Sequence, residues 1–132
     1  MRFMLDTNII AYAKNRRPES VIVRLRQCDP LDICISAITM AELEYGASKS
    51  SWPERNRLML LAFLSEIQVM PFDADAAREY GDIRAALEKR GAVIGGNDML
   101  IAAHAKALNL TLITNNQREF ARIEGLKLEN WV

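Results

Sequence analysis

Five short apolar runs, each fenced by turn residues and separated by longer stretches of helical periodicity, constrain this chain more than any other feature. They lie at Arg2 to Leu5, Ile33 to Ser36, Gln68 to Met70, Thr111 to Thr114 and Lys127 to Asn130. Strands joined by connections of that length pair in parallel, because an antiparallel pair needs only a tight turn. A parallel sheet in turn requires helices over both of its faces. The expectation is an α/β fold in one domain over residues 1–132, with a central parallel sheet of about five strands flanked by helices.

The intervening stretches supply those helices. Ile9 to Lys14 and Glu19 to Cys28 read as two short ones, the second entered through Pro18. The run ITMAELEYGA ends at Gly46, and Pro53 opens a longer helix through Glu66. Asp73 to Arg90 is charged, amphipathic and stopped by Gly91. Asp98 to Leu108 follows a Gly95, Gly96 turn, and Asn116 to Ile123 is the last.

Composition removes several classes of function. Half of the residues are hydrophobic, yet no apolar run approaches the ~20 residues of a membrane span. Asp6 interrupts the first apolar run before it can serve as a secretory core, so a cytoplasmic location is expected. Two cysteines without C-x-x-C spacing and a single histidine give neither a zinc site nor a disulfide framework. Seventeen basic residues balance 17 acidic ones, so net charge says nothing about nucleic acid.

The chemistry on offer is acidic. FMLDTN drives the first strand into Asp6, at the strand end where open α/β sheets keep their ligand crevice. Asp6 there either caps the next helix or ligates a metal, with Thr7 and Asn8 holding its geometry. Glu42 lies three residues after Thr39, the capping-box spacing, and so either reaches back to the Thr39 amide or faces the pocket. Glu44, two residues on, points to another face. In GGND one of Asn97 and Asp98 caps the following helix. If Asn97 does so, Asp98 falls in the first turn, where the positive helix end keeps it ionised.

LITNNQREF sets Thr114, Asn115, Asn116 and Glu119 past a strand, at the same sheet end as Asp6. They either cap a helix or complete a metal shell. His104 sits on an Ala-rich helical face and reads as packing. No G-x-S-x-G elbow and no phosphate-cradling glycine loop is present.

At these residues the chain resembles the PIN-domain ribonucleases, specifically the VapC toxins of bacterial toxin–antitoxin pairs. The matching segments, FMLDTN, ISAITMAELEYGA, GGNDMLIAAHA and LITNNQREF, stand in the family's order along nearly the whole chain. The resemblance implies a three-layer PIN fold and a magnesium- or manganese-dependent endoribonuclease. Asp6 and Asp98 match the metal ligands and Glu42 the third acid. It also implies a homodimer and a VapB-type antitoxin partner, with structured RNA such as transfer RNA as the target. Many relatives carry a fourth acid where this chain has Asn116, with Glu119 three residues on, and that departure bears on how many metals bind.

The expected catalytic set is therefore Asp6, Glu42, Asp98, Asn116 and Glu119, supported by Thr7, Asn8 and Thr114. A phosphatase with Asp6 as covalent nucleophile is the enzymatic rival, but it needs an acid two residues on, where Asn8 stands. An interaction module whose acids only cap helices is the non-enzymatic one.

Overall fold

The computed structural model describes residues 1–132. Five parallel strands form one sheet, in chain order β1 (Phe3–Leu5), β2 (Ile33–Ser36), β3 (Gln68–Met70), β4 (Thr111–Ile113) and β5 (Leu128–Glu129). The sheet order is β3-β2-β1-β4-β5. The chain builds outward from β1 to β3 on one side, then returns to the other side of β1. The crevice between the carboxyl ends of β1 and β4 is thus the topological switch point, where α/β sheets bind ligands.

Alternation along the strands feeds two separate cores. Met4, Cys34 and Leu112 face one layer with Ile83, Leu87, Ile101 and Phe120. Phe3, Leu5, Ile33, Ile35 and Ile113 face the other, with Ile9, Ile10, Leu60 and Trp131. Because successive side chains point to opposite faces, an apolar strand with both faces covered fits a three-layer sandwich. Cys34 is buried and Cys28 half-buried, and both are unpaired.

Seven helices make the outer layers: α1 (Thr7–Asn15), α2 (Glu19–Gln27), α3 (Ala37–Ser48), α4 (Pro53–Phe63), α5 (Ala74–Lys89), α6 (Gly96–Ala107) and α7 (Gln117–Phe120). Three of the seven starts are set by side-chain caps. Asp6 accepts from the Ile9 amide at α1, Ser36 from Ile38 at α3 and Asp73 from Ala76 at α5.

Four local expectations are corrected. Helix α3 runs through Gly46 to Ser48, since Gly46 keeps helical geometry and pays only propensity. Helix α4 ends at Phe63, and Leu64–Glu66 tightens into a 3-10 turn. Pro18 stands just before α2 rather than inside it. The last helix is a single turn, Gln117–Phe120. Gly91, by contrast, takes the positive φ of 64° that stopping α5 demands.

Candidate active site

Asp6 follows β1 directly, and its backbone amide still bonds to the Ile113 carbonyl of β4 at 3.0 Å. The side chain is 4% exposed. One carboxyl oxygen, Oδ1, accepts from the Ile9 amide at 3.1 Å, and Oδ2 accepts from the Thr114 hydroxyl at 2.5 Å. The amide of Asn8 also supports the carboxylate. Burial nevertheless dominates and raises the Asp6 pKa, against the lowering from these donors, while the Glu42 charge raises it further. Asp6 is thus a helix cap and a pocket carboxylate at once.

Glu42 does not close a capping box. Ser36 caps α3 instead, Thr39 is fully buried, and the Glu42 carboxylate turns toward β1's end. Thr7 donates to its Oε1 at 2.5 Å, and the Asn97 amide approaches its Oε2 at 3.5 Å. Glu44 on the opposite face pairs with Arg57 across to α4.

Neither Asn97 nor Asp98 caps α6. Gly95 occupies the cap position and leaves Asp98 in the first turn, half-buried. Its pKa rises to about 6, first through burial, then through the charges of Asp6, Glu42 and Glu119. Asp6, Glu42, Asp98 and Glu119 stand near enough for the charges of the other three to be felt at Asp98. No salt bridge reaches any of them, since the five ion pairs lie elsewhere. Four carboxylates crowded without a counter-charge form a site that favours a cation.

The fourth corner is a relay rather than a cap. The backbone amide of Asn116 donates to the Thr114 hydroxyl at 2.9 Å, and the Asn116 side-chain amide donates to Glu119 Oε2 at 3.0 Å. Asn116 occupies the α7 cap position without a side-chain cap bond. Asn8 corrects another expectation: its side chain is exposed, and it serves Asp6 only through the backbone. No three acidic, cysteine or histidine side chains converge on one ion position. The acids are neighbours, not a closed cage.

His104 is a core residue, 1% exposed. Its Nδ1 meets the Ser36 hydroxyl at 2.7 Å, and its ring stands edge-on to Phe72. The Pro71 carbonyl bonds the ring as well, and burial lowers its pKa. Neutral His104 with its proton toward Pro71 leaves Nδ1 to accept from Ser36, whose oxygen accepts from Ile38. That network joins the acid-bearing helices α3 and α6. The sequence signals neither this contact nor the Asn97 approach to Glu42, because their partners lie 68 and 55 residues away.

Comparison with known proteins identifies the family. A PIN domain matches residues 3–126. The chain belongs to the PIN-domain family. Among its relatives, the Ribonuclease VapC2 of Haemophilus influenzae is 46% identical over 132 residues, covering 100% of this chain and 99% of that protein. The tRNA(fMet)-specific endonuclease VapC of Shigella flexneri is 44% identical over 131 residues, covering 99% and 98%. The crystal structure of VapBC2 from Rickettsia felis bound to a promoter DNA fragment superposes with a TM-score of 0.92 at 47% identity, over 100% of both chains. Within the PIN family, the chain is a VapC-type ribonuclease.

Proposed function

We propose that this PIN-domain protein hydrolyses structured RNA such as transfer RNA with a magnesium or manganese ion held by Asp6 and Asp98. As a VapC-type protein it is an RNA-cleaving toxin neutralised by an antitoxin. The observation that carries the metal is the unpaired crowding of four carboxylates at the β1/β4 switch point, with Asp98 pushed up to about 6. Magnesium keeps several waters and takes one or two carboxylates, so the open arrangement fits better than a three-acid cage. When bound, the ion supplies a Lewis acid and an acidified water.

The chain's own groups divide the remaining work. Asp6 is fixed at both oxygens by Ile9 and Thr114, so its ligating geometry is preorganised. Asp98 sits in the first turn of α6 beside the other acids, where a bound cation would favour its ionised form against their repulsion. Glu42, fixed at Oε1 by Thr7, orients the attacking water. Asn116 and Glu119 hold a further water at the edge of the site, and Thr114 braces that corner through the Asn116 amide.

The antitoxin reading also has a place in the fold. An apolar groove of about 350 Å³ between α2 and α4 is lined by Ile22, Leu25, Cys28, Ile33, Phe63 and Ile67. It would take an amphipathic antitoxin helix, and a basic antitoxin side chain would neutralise the acids. We infer a homodimer within that toxin–antitoxin hetero-oligomer.

Purified toxin incubated with transfer RNA tests the metal reading. Cleavage should require added magnesium or manganese, vanish in excess EDTA and fall by at least a hundredfold in Asp98→Asn. Cleavage that persists in EDTA or in Asp98→Asn overturns it.

A further inference from the structure

We propose that Tyr45 is a stacking platform for an unpaired base of the RNA beside the cleaved bond, with Lys49 contacting the phosphate next to it. The proposal rests on the ribonuclease reading and names how its substrate is held. Tyr45 follows Glu42 by three residues, so the two share one face of α3. A cleft of about 540 Å³ runs from Glu42 along this face, with Thr7, Ile38, Asn97, Tyr45, Gly46 and Lys49 in its lining. Its inner end is Glu42, one of the four acids, and its outer end is aromatic and cationic.

Tyr45 is 65% exposed, so its ring is presented to this cleft and not to the core. The Lys49 ammonium lies over the ring, 4.9 Å from its centroid, so the cation and the aromatic group stand side by side. Gly46, next to Tyr45, presents no side chain, and even an added Cβ would meet nothing within 4 Å, so a planar group has room there. Neither Tyr45 nor Lys49 is committed to a carboxylate: Tyr45 makes no hydrogen bond through its hydroxyl, and Lys49 forms none of the five salt bridges.

An aromatic face with a neighbouring cation is the pairing by which proteins hold single-stranded nucleic acid, stacking one base and neutralising its phosphate. Sequence-specific RNA recognition likewise uses loops whose bases can be splayed onto aromatic rings. The cleft thus favours cleavage in a loop over cleavage in a duplex, where every base is already stacked.

The test compares wild type, Tyr45→Ala, Tyr45→Trp and Lys49→Gln on a stem–loop RNA with 2-aminopurine beside the cleaved bond. Tyr45→Ala should raise KM about tenfold or more with kcat changed less than about threefold, the pattern of lost uniform binding. Tyr45→Trp should rescue KM, since stacking needs a ring and not a hydroxyl. Lys49→Gln should raise KM and flatten its salt dependence. In an Asp98→Asn background, binding should quench 2-aminopurine when Tyr45 is present and not when it is alanine.

An unchanged KM and quench in Tyr45→Ala overturns the proposal. So does a change in sedimentation behaviour for Tyr45→Ala, which would make the ring a contact between copies of this chain. If wild type itself cleaves no RNA, the ribonuclease reading has failed. If wild type cleaves normally and only the Tyr45 variants are indistinguishable from it, the stacking platform alone has failed.

Discussion

A carboxylate has about four lone-pair positions, and Asp6 meets three donors, on Ile9, Asn8 and Thr114. Capping a helix and ligating an ion are therefore compatible roles for one residue, and the choice between them that its local sequence poses does not arise. Thr114→Val should remove a buried donor to Asp6, destabilising the fold by about 1–2 kcal/mol in urea unfolding and raising the magnesium concentration needed for activity. Asp98 makes a prediction with a definite sign. Its folded pKa of about 6 lies above the ordinary 3.8, so the ion-free fold is favoured below pH ~4 and loses that advantage as pH rises to about 6. Asp98→Asn should therefore melt a few degrees higher than wild type at pH 7.5 in EDTA and show little difference near pH 4. A lower melting temperature at pH 7.5 would refute the repulsion argument.

Among the elements, α3 and α6 carry Glu42 and Asp98, and their relative placement depends on Ser36 and His104. Ser36→Ala should cost about 1 kcal/mol through loss of the α3 cap and of the acceptor and donor it offers. Burial holds the His104 pKa below its free value, so the unfolded chain binds the extra proton first as pH falls. The stability this contributes is complete above pH ~6.5 and declines below it, in the direction opposite to Asp98. His104→Gln should flatten that acid limb of the unfolding profile. Strands β1, β2 and β4 were legible as near-continuous apolar runs because both their faces are covered. The end of α3 was not, since Gly46 stops a helix only when it adopts a left-handed conformation, as Gly91 does.

For the molecule as a whole, binding of an ion to the native state alone must raise its melting temperature with concentration. Magnesium titrated from zero to millimolar should stabilise wild type and leave Asp98→Asn unmoved in thermal shift. No helix of the structure is long and apolar enough to cross a membrane. The α2–α4 groove predicts that Leu25→Asp weakens antitoxin association, measured by calorimetry, without altering RNA cleavage by the free toxin.

Read alone, the sequence carries the layer architecture, through apolar periodicity, and the identities of the acids, through their positions at element ends. It could not decide that β1 lies between β2 and β4, because strand order is set by which faces pack together and leaves no local mark. That order brings Asp6, Glu42, Asp98 and Glu119 to one crevice from four separate elements. Tertiary structure alone also chose Glu42's partner, turning it from Thr39 three residues away to Thr7 across the site. A short-range cap and a long-range hydrogen bond compete for the same carboxylate, and packing, which the sequence does not display, settles which is made.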